Sequence, residues 1–459
     1  MATRAASLAF LPPRLDGRVL ATARLLLPLW LRRSGLRGVT VEGMERLQEP
    51  MEAFQEGRSR LLLAFRHPSL DDPAVLAHLL WRDLARAGRP RHAEPGRRRF
   101  RPRPHAQFLY DRGIPLWAGE GTGWLLSRLG GCSIQRSKLD LPALRTARAL
   151  LLDGPHPFAV APEGATNGHS EVVSPLEPGV AQLALWTADD LQKAGRPEAM
   201  TLLPIGLQYR FSAPVWPAIE ALLSQLEGEA GRASSDRSLQ PDHLYRRLAA
   251  LAELMLCRLE DYYRAAHHLP LPPLPETATA AEERLTMRLN RLLEGALQVA
   301  ERGLAVEPHG DLNERCRRLE QAGWDRLYPS TDLPAAPPSA LDRGLAGRLA
   351  EETAQSLWHM RLVEAFVAVS GRYVREHPSQ ERFADTLLIL WDTLNRIRGG
   401  TPGQRPQLGP RQALIRIGEP LAVLPLLAGY RSDRRRAVAD LTATLQQRLE
   451  GLIVPSGMG

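Results

Sequence analysis

The sequence predicts an α/β protein with a mixed-sheet core flanked by helices and a large helical insertion or second helical domain. Over roughly the first 215 residues, short apolar runs typical of buried strands are each followed by a polar loop and a helical pattern. From Trp216 to Gly409 the pattern is mostly helical with proline-rich joints, and a strand pattern returns at Ala413. The 459 residues, 44% of them hydrophobic, are enough to bury more than one structural unit.

The first apolar segment of the chain is typical of a helix that lies on a membrane surface. Val19 to Leu31 is interrupted by Arg24 and Pro28, and it is shorter than the about 20 apolar residues that span a bilayer. We therefore expect residues 1–37 to form an N-terminal interfacial amphipathic helix region. The expected location is cytoplasmic and peripherally membrane-associated.

The chain is basic, with a formal net charge of +8. Lys138 and Lys193 are its only lysines, so nearly all the positive charge is arginine, a bias typical of GC-rich bacterial codon usage. One Pro/Gly-rich stretch contains seven arginines: Arg89, Arg91, Arg97, Arg98, Arg99, Arg101 and Arg103. This stretch either meets anionic lipid headgroups, at about 1 kcal/mol per basic residue, or is a solvated insertion. No recognised nucleic-acid-binding motif accompanies it, so we expect no nucleic-acid partner.

Cysteine usage indicates a reducing compartment. Cys132, Cys257 and Cys316 are odd in number and widely spaced, which argues against a disulfide framework or a cysteine metal site. No His/Cys spacing suggests zinc. The sequence therefore implies no metal and no bound organic cofactor.

The most informative motif is the pair His67 and Asp72, which follows the strand-like run from Leu61 to Phe65. A carboxylate that fixes the tautomer of an imidazole and stabilises its cation makes a general base. Asp72 followed by proline also reads as a helix N-cap, which leaves open that Asp72 only caps a helix. The spacing alone is weak evidence, because His78 and Asp83 repeat it within an ordinary helical pattern.

Three further blocks follow His67 in order. Residues 131–136 read Gly-Cys-Ser-Ile-Gln-Arg, residues 158–168 contain Ala-Pro-Glu-Gly-Ala-Thr-Asn, and residues 202–207 form a proline-containing strand pattern. Together with residues 67–72 they resemble the four motif blocks of the glycerolipid acyltransferase family, the His-x4-Asp enzymes that include the lysophosphatidic acid acyltransferases. The resemblance covers roughly residues 38–210 and extends to a strand pattern near residue 415.

The resemblance implies transfer of a fatty acyl chain from acyl-CoA or acyl carrier protein to a glycerolipid hydroxyl, such as that of lysophosphatidic acid. His67 is then the catalytic base oriented by Asp72, and Arg136 binds the acceptor's phosphate through its planar guanidinium. Glu163 is expected to bind an acceptor hydroxyl or to position Arg136, while Gly164 allows a tight turn. Their structural alternatives are a surface ion pair for Arg136 and a turn residue for Glu163.

The acceptor hydroxyl is expected to attack the thioester directly, with backbone N–H groups near the helix that opens at Pro73 stabilising the carbonyl oxygen. No nucleophilic elbow of the Gly-x-Ser-x-Gly type is present, and Ser69 is expected to be structural. The third block has no arginine after Gly-Ala-Thr, which favours, as an alternative, a different hydroxyl or amine acceptor. A non-catalytic lipid-binding or scaffold protein on the same fold is the other alternative.

The strand pattern from Ala413 is similar to a late strand of the same family that normally follows the fourth block closely. We therefore predict a catalytic domain at 38–215, a helical insertion at 216–409, and a C-terminal strand and helix at 410–455 that complete the catalytic domain. Two consecutive domains are the alternative. Contact between the strand near Ile415 and the strand near Pro204 distinguishes the insertion from the alternative.

Overall fold

The computed structural model describes residues 9–87, 100, 103–135, 139–232, 237–274, 280–328, 339–366, 369, 372–400 and 404–457. Eight strands form one sheet in this part of the chain. They are β1 (Leu36–Glu42), β2 (Ser59–Phe65), β3 (Gln107–Asp111), β4 (Gly131–Ile134), β5 (Phe158–Val160), β6 (Ala199–Phe211), β7 (Arg411–Ile417) and β8 (Leu421–Ala422).

The sheet is mixed and mostly parallel. Its strand order is β1-β7-β6-β2-β5-β3-β4, and β8 pairs with part of β6. Strands β6, β2, β5, β3 and β4 run parallel, β7 is antiparallel to β6, and β1 is parallel to β7. The α/β class predicted from the sequence is therefore confirmed.

Strand β2 shows why these segments form a covered sheet. Leu61 and Leu63 face one apolar cluster, while Leu62 and Ala64 face a second cluster on the opposite side. Successive side chains of a strand point to opposite faces, so a continuous apolar run requires cover on both. One cluster includes the first helices of the chain, and the other includes the helix at the C-terminus, where Leu441 and its neighbours along one side are buried.

The helices, in chain order, are α1 (Gly17–Arg33), α2 (Glu45–Gln55), α3 (Asp72–His78), α4 (Ala85–Ala87), α5 (Ile114–Ala118), α6 (Glu120–Arg128), α7 (Leu141–Asp153), α8 (Gly179–Lys193), α9 (Trp216–Glu229), α10 (Pro241–His267), α11 (Ala281–Leu304), α12 (Leu312–Leu327), α13 (Ala340–Glu364), α14 (Tyr373–Glu376), α15 (Gln380–Ile397), α16 (Leu427–Ser432) and α17 (Arg434–Glu450). A π-helical turn, Leu79–Leu84, joins α3 to α4, and a 3-10 turn, Leu424–Leu426, precedes α16. Within the described ranges, none of the helices is both long enough and apolar enough to cross a membrane.

Helices α9 to α15 lie between β6 and β7 in the chain and bury two apolar clusters of their own. Strand β7 then returns to the sheet beside β6, where Leu207 pairs with Ile415 and Ile205 with Ile417. The chain thus leaves the sheet at one strand and re-enters it at the neighbouring strand.

Candidate functional site

The His67 motif lies at the carboxyl end of the parallel strands. His67 follows β2 by two residues, and Glu163 follows the neighbouring β5 by three. In open α/β sheets, ligands bind in the crevice outside these strand ends. The first and third sequence blocks are therefore adjacent in space.

A short hydrogen bond joins the two residues of the first block. His67 Nδ1 lies 2.8 Å from Asp72 Oδ2, and the Asp72 side chain is fully buried while that of His67 is 20% exposed. We assign the proton to Nδ1 because it faces a carboxylate, which leaves Nε2 as the acceptor. The pair has the geometry of a base and its orienting group.

Two further donors hold the Asp72 carboxylate. The Ser69 N–H donates to Oδ2 over 2.8 Å, and the Tyr209 hydroxyl donates to Oδ1. Burial, followed by the charge of Asp72, raises the pKa of Tyr209 well above its ordinary value, so Tyr209 stays a donor. The carboxylate that orients His67 is thereby fixed from three sides.

The sequence-based assignment of Asp72 as the helix N-cap is wrong. Helix α3 begins at Asp72 itself and Asp71 precedes it, because the Asp72 side chain turns back toward His67 instead of capping. The N–H groups of Ala74 and Val75 donate to the Asp71 carbonyl. These amides at the start of α3 are already paired, so they do not provide the expected oxyanion donors.

The accepting nitrogen of His67 meets a threonine. The Thr166 hydroxyl lies 3.1 Å from Nε2. With the proton on Nδ1, this hydroxyl donates to Nε2. Thr166, His67 and Asp72 therefore form a continuous chain of hydroxyl, imidazole and carboxylate.

Glu163 is buried beneath this chain rather than open to a ligand. Its Oε1 accepts from the His67 N–H, and its Oε2 accepts from the Asn167 amide and the Ser174 N–H, each over 2.8 Å. The expected contact with an acceptor hydroxyl does not fit this arrangement, because the side chain is fully buried with both oxygens occupied. Glu163 instead fixes the backbone of His67 and the loop that carries Thr166.

Arg66 supports the loop that carries Glu163 and Thr166. Its fully buried guanidinium donates to the carbonyls of Ser170 (2.7 Å), Leu207 (3.1 Å), His169 (3.1 Å) and Val172 (2.6 Å). Its Nε lies 3.9 Å from Glu163 Oε1. One planar cation therefore ties the end of β2 to the 163–174 loop and to β6.

The tight turn predicted at Gly164 is present. Gly164 has φ of +73°, and a Cβ there would overlap Glu177 Oε1. Cys132 is buried, and burial raises its pKa to about 12, as suits a packed, unreactive thiol.

Arg136 and Lys138 lie outside the described residues, so a phosphate-binding role for Arg136 stays a prediction. Of the seven clustered arginines, only Arg103 is described.

The second His-x4-Asp pair differs in geometry from the first. His78 Nε2 lies 3.6 Å from Asp83 Oδ2 within one continuous helical run. Burial lowers the pKa of His78 and raises that of Asp83, which favours their neutral forms. This pair is a natural control for the role of His67.

The helical region contacts the site loop through Asp385 of α15. Its Oδ2 accepts from the Ser170 N–H over 2.8 Å and from the Tyr373 hydroxyl over 2.9 Å. Burial raises the pKa of Asp385 to about 7. The helical region therefore holds the loop through a carboxyl group that titrates near neutral pH.

We expect Asp385→Asn to change how stability depends on pH. A carboxyl whose pKa is raised on folding binds its proton more tightly in the folded state, so wild type loses stability as pH rises from about 4 to about 7. Asparagine does not titrate, so the variant lacks this loss. Urea unfolding of both proteins at pH 5 and pH 8 measures it, and an equal pH dependence would contradict the assignment.

Sequence reasoning missed Thr166, Tyr209 and the role of Arg66. Thr166 lies inside the quoted third block, but nothing in the sequence says which of its side chains faces His67. Tyr209 continues the alternation of Ile205 and Leu207 on β6, which places it on the face of the sheet that carries α3. A period-two reading extended through the strand would have found it.

No protein-family model matches the chain, and no curated protein matches it in sequence. The described residues also contain no group of three or more His, Cys, Asp or Glu side chains placed to hold a metal ion.

Proposed function

We propose that this protein is an acyltransferase that moves a fatty acyl chain from acyl-CoA or acyl carrier protein to a glycerolipid hydroxyl. The observation that carries the proposal is the hydrogen-bonded chain from Asp72 through His67 to a hydroxyl at Nε2. The Thr166 hydroxyl stands where an acceptor hydroxyl would donate its proton. The same site supports a different hydroxyl or amine acceptor as the nearest alternative.

The proposed reaction needs one base. Nε2 of His67 removes the acceptor's proton as its oxygen attacks the thioester carbonyl, and buried Asp72 stabilises the imidazolium that forms. The tetrahedral intermediate collapses by breaking the C–S bond. The thiolate leaves and takes the proton from His67, which restores the neutral imidazole.

The position of Thr166 also allows a second mechanism, in which its own hydroxyl is the nucleophile. A hydroxyl within reach of a base that is itself oriented by a third group is the usual arrangement for covalent catalysis. In that mechanism, the acyl chain is first transferred to Thr166 and then to the acceptor. The two mechanisms predict different rates of transfer when this hydroxyl is removed.

We expect Thr166→Val to keep acceptor-dependent transfer within about tenfold of wild type, because valine removes the hydroxyl at nearly the same side-chain size while direct attack does not use Thr166. Steady-state rates, with mass spectrometry of protein incubated with donor alone, measure this. Direct attack would be overturned by two results together: a loss of transfer as large as that of a His67 variant, and a mass increase of one acyl group that appears on wild type but not on Thr166→Val.

Association with a membrane surface is part of the proposal. Helix α1 buries Leu20, Leu27 and Leu31 against the protein, whereas Leu25, Leu29 and Trp30 are at least 61% exposed. Arg32 and Arg33 lie in its last turn. An exposed apolar face with flanking arginines suits the interface of an anionic bilayer.

The test is release of free thiol from a panel of acyl-CoA and acyl-carrier-protein donors, presented with glycerol 3-phosphate, lysophosphatidic acid, neutral lysolipids and an amine acceptor in vesicles. We expect release that depends on a glycerolipid acceptor. Release with only the amine acceptor would favour the alternative, and none with any pair from folded, vesicle-bound protein would favour a scaffold role.

A further inference from the structure

Helix α12 of the helical region packs over the carboxyl ends of two strands of the sheet. Gln135, which directly follows β4, donates its side-chain amide to Gln321 Oε1 over 3.0 Å. Gly113, which follows β3 by two residues, lies so close to Trp324 that a Cβ there would be 2.9 Å from the ring. Ligands of open α/β sheets bind at this end of the strands. The helical region therefore forms part of the wall of the crevice that contains His67.

Arg317 lies on the same face of α12. It precedes Gln321 by four residues and Trp324 by seven, and residues at these spacings are neighbours on the surface of a helix. Its Nη2 lies 2.9 Å from Glu177 Oε1, in the segment that joins β5 to α8. The face of α12 that covers the crevice therefore includes a cation.

Glu177 places this cation beside the loop of the candidate site. Its carboxylate packs against Gly164 so closely that a Cβ there would overlap it. Thr166 follows Gly164 by two residues, which span at most about 7 Å. The Thr166 hydroxyl lies at Nε2 of His67, where the acceptor is proposed to react. The helical region therefore brings the charge of Arg317 close to the proposed reaction centre.

Most hydrogen-bond donors of Arg317 are open to a ligand. A guanidinium has five N–H donors in a planar fork. Within the described ranges, the ion pair with Glu177 is the only polar side-chain contact of Arg317, and 33% of its side chain is exposed. Arg315 of the same helix differs, because it is buried and bonds to both Glu294 and Glu301. Arg317 is thus available to bind a group outside the fold.

An oxyanion fits such a guanidinium best. Phosphate and carboxylate match the planar fork and accept two parallel hydrogen bonds from it. In 1-acyl lysophosphatidic acid the free hydroxyl and the phosphate are on neighbouring carbon atoms. A hydroxyl at Nε2 of His67 therefore brings its phosphate to the residues around this loop, whereas an uncharged acceptor offers nothing that needs a cation there.

We propose that α12 forms one wall of the acceptor site and that Arg317 binds the anionic group of the acceptor. Glu177 holds the guanidinium in place while the site is empty, and its charge opposes the anion that binds. This inference rests on the proposed function for the reaction itself, and it narrows the acceptor to an anionic glycerolipid. It also gives the helical region a role in the choice of substrate.

The experiment measures binding to the full chain by calorimetry, with no acyl donor present. The ligands are a short-chain lysophosphatidic acid that stays monomeric in water and the uncharged monoacylglycerol of the same chain length. We expect wild type to bind the phosphate ligand about tenfold or more tightly than the uncharged one, since hydrogen bonds between charged groups contribute on that scale. Equal binding of the two ligands, or no binding of the phosphate ligand, overturns the proposal.

Substitutions of the two ion-pair partners should have different effects. Arg317→Gln removes the cation, so the two ligands should then bind within about threefold of each other. Glu177→Gln removes the opposing charge and keeps Arg317, so the phosphate ligand should bind as tightly as before or more tightly. An ion pair with a structural role alone predicts that both variants lose affinity alike. That result, or a wild-type preference in Arg317→Gln, overturns the proposal.

The matched control is Arg326→Gln. Arg326 follows Arg317 by nine residues, two and a half helical turns, so it lies on the opposite face of α12, where it donates to the Gly303 carbonyl over 2.9 Å. This variant should bind both ligands as wild type does. Thermal melting tests the folding of each variant. If Arg317→Gln is unfolded, Arg317→Lys replaces it and should lose part of the preference, because an ammonium lacks the fork; an undiminished preference overturns the proposal.

Failure of this proposal and failure of the proposed function give different results. Because the binding measurements contain no donor, binding that depends on Arg317 together with an inactive thiol-release panel would reject acyl transfer and keep the anion site. Acceptor-dependent release with the same KM for lysophosphatidic acid in wild type and Arg317→Gln would keep the acyltransferase and reject the role of Arg317.

Discussion

Replacing His67 with alanine is expected to lower acceptor-dependent thiol release by about 10²–10⁴-fold, the usual contribution of a positioned general base. Folding should be unchanged, since the side chain is partly exposed and the backbone N–H that binds Glu163 remains. Initial rates at saturating donor and acceptor measure the first effect, and thermal melting measures the second.

The matched control is His78→Ala, which removes the other histidine of a His-x4-Asp pair. His78 lies on the helical run that follows Asp72, and its side chain faces Asp83 at 3.6 Å. Its loss should leave the rate within about threefold, because no proton transfer depends on it. Normal turnover by His67→Ala, or equal losses in the two variants, would reject His67 as the base.

Replacing Arg66 with alanine is expected to cost about 3–5 kcal/mol of stability, the range found when one partner of a buried ion pair is removed. The change leaves Glu163 without its nearest cation and removes donors from four carbonyls, three of them buried. Arg66→Lys should recover only part of the loss, because an ammonium cannot reproduce the planar fork. Urea unfolding of the full chain measures both.

A surface arginine gives the control for Arg66. Arg58 pairs with Glu56 while 63% of its side chain is exposed, so Arg58→Ala should change stability by no more than about 1 kcal/mol. Were Arg66→Ala equally mild, the guanidinium would not be holding the loop. Full stability in Arg66→Lys would likewise show that charge alone suffices.

The apolar runs of the sequence predicted the central strands β2 and β6, because a strand covered on both faces leaves a continuous hydrophobic signature. Leu61 to Phe65 and residues 202–207 are examples, and both lie in neighbouring central strands. The same local logic failed at Asp72, whose following proline is typical of a capped helix. Its side chain instead bonds to His67, a contact that the rules for helix N-termini do not take into account.

Glu163 is the second residue whose environment could not be predicted from the sequence. A carboxylate just after a strand can face solvent or the interior, and the choice here depends on Arg66, Asn167 and Ser174 together. The buried cation and buried carboxylate depend on each other, and such mutual dependence has no local sequence signal.

The place of β7 between β1 and β6 bears on how the chain is made. Residue 42 ends β1, yet its only sheet partner among the described strands begins at residue 411. A ribosome adding about 5–20 residues per second needs on the order of tens of seconds to cover that interval. Throughout that time β1 lacks a partner, and one edge of β6 lacks a partner from residue 211 onward. Unpaired edges invite pairing with other chains. The nascent protein therefore depends on a late-synthesised strand to close its sheet, and a nonsense mutation before codon 411 would remove β7 and leave both edges open.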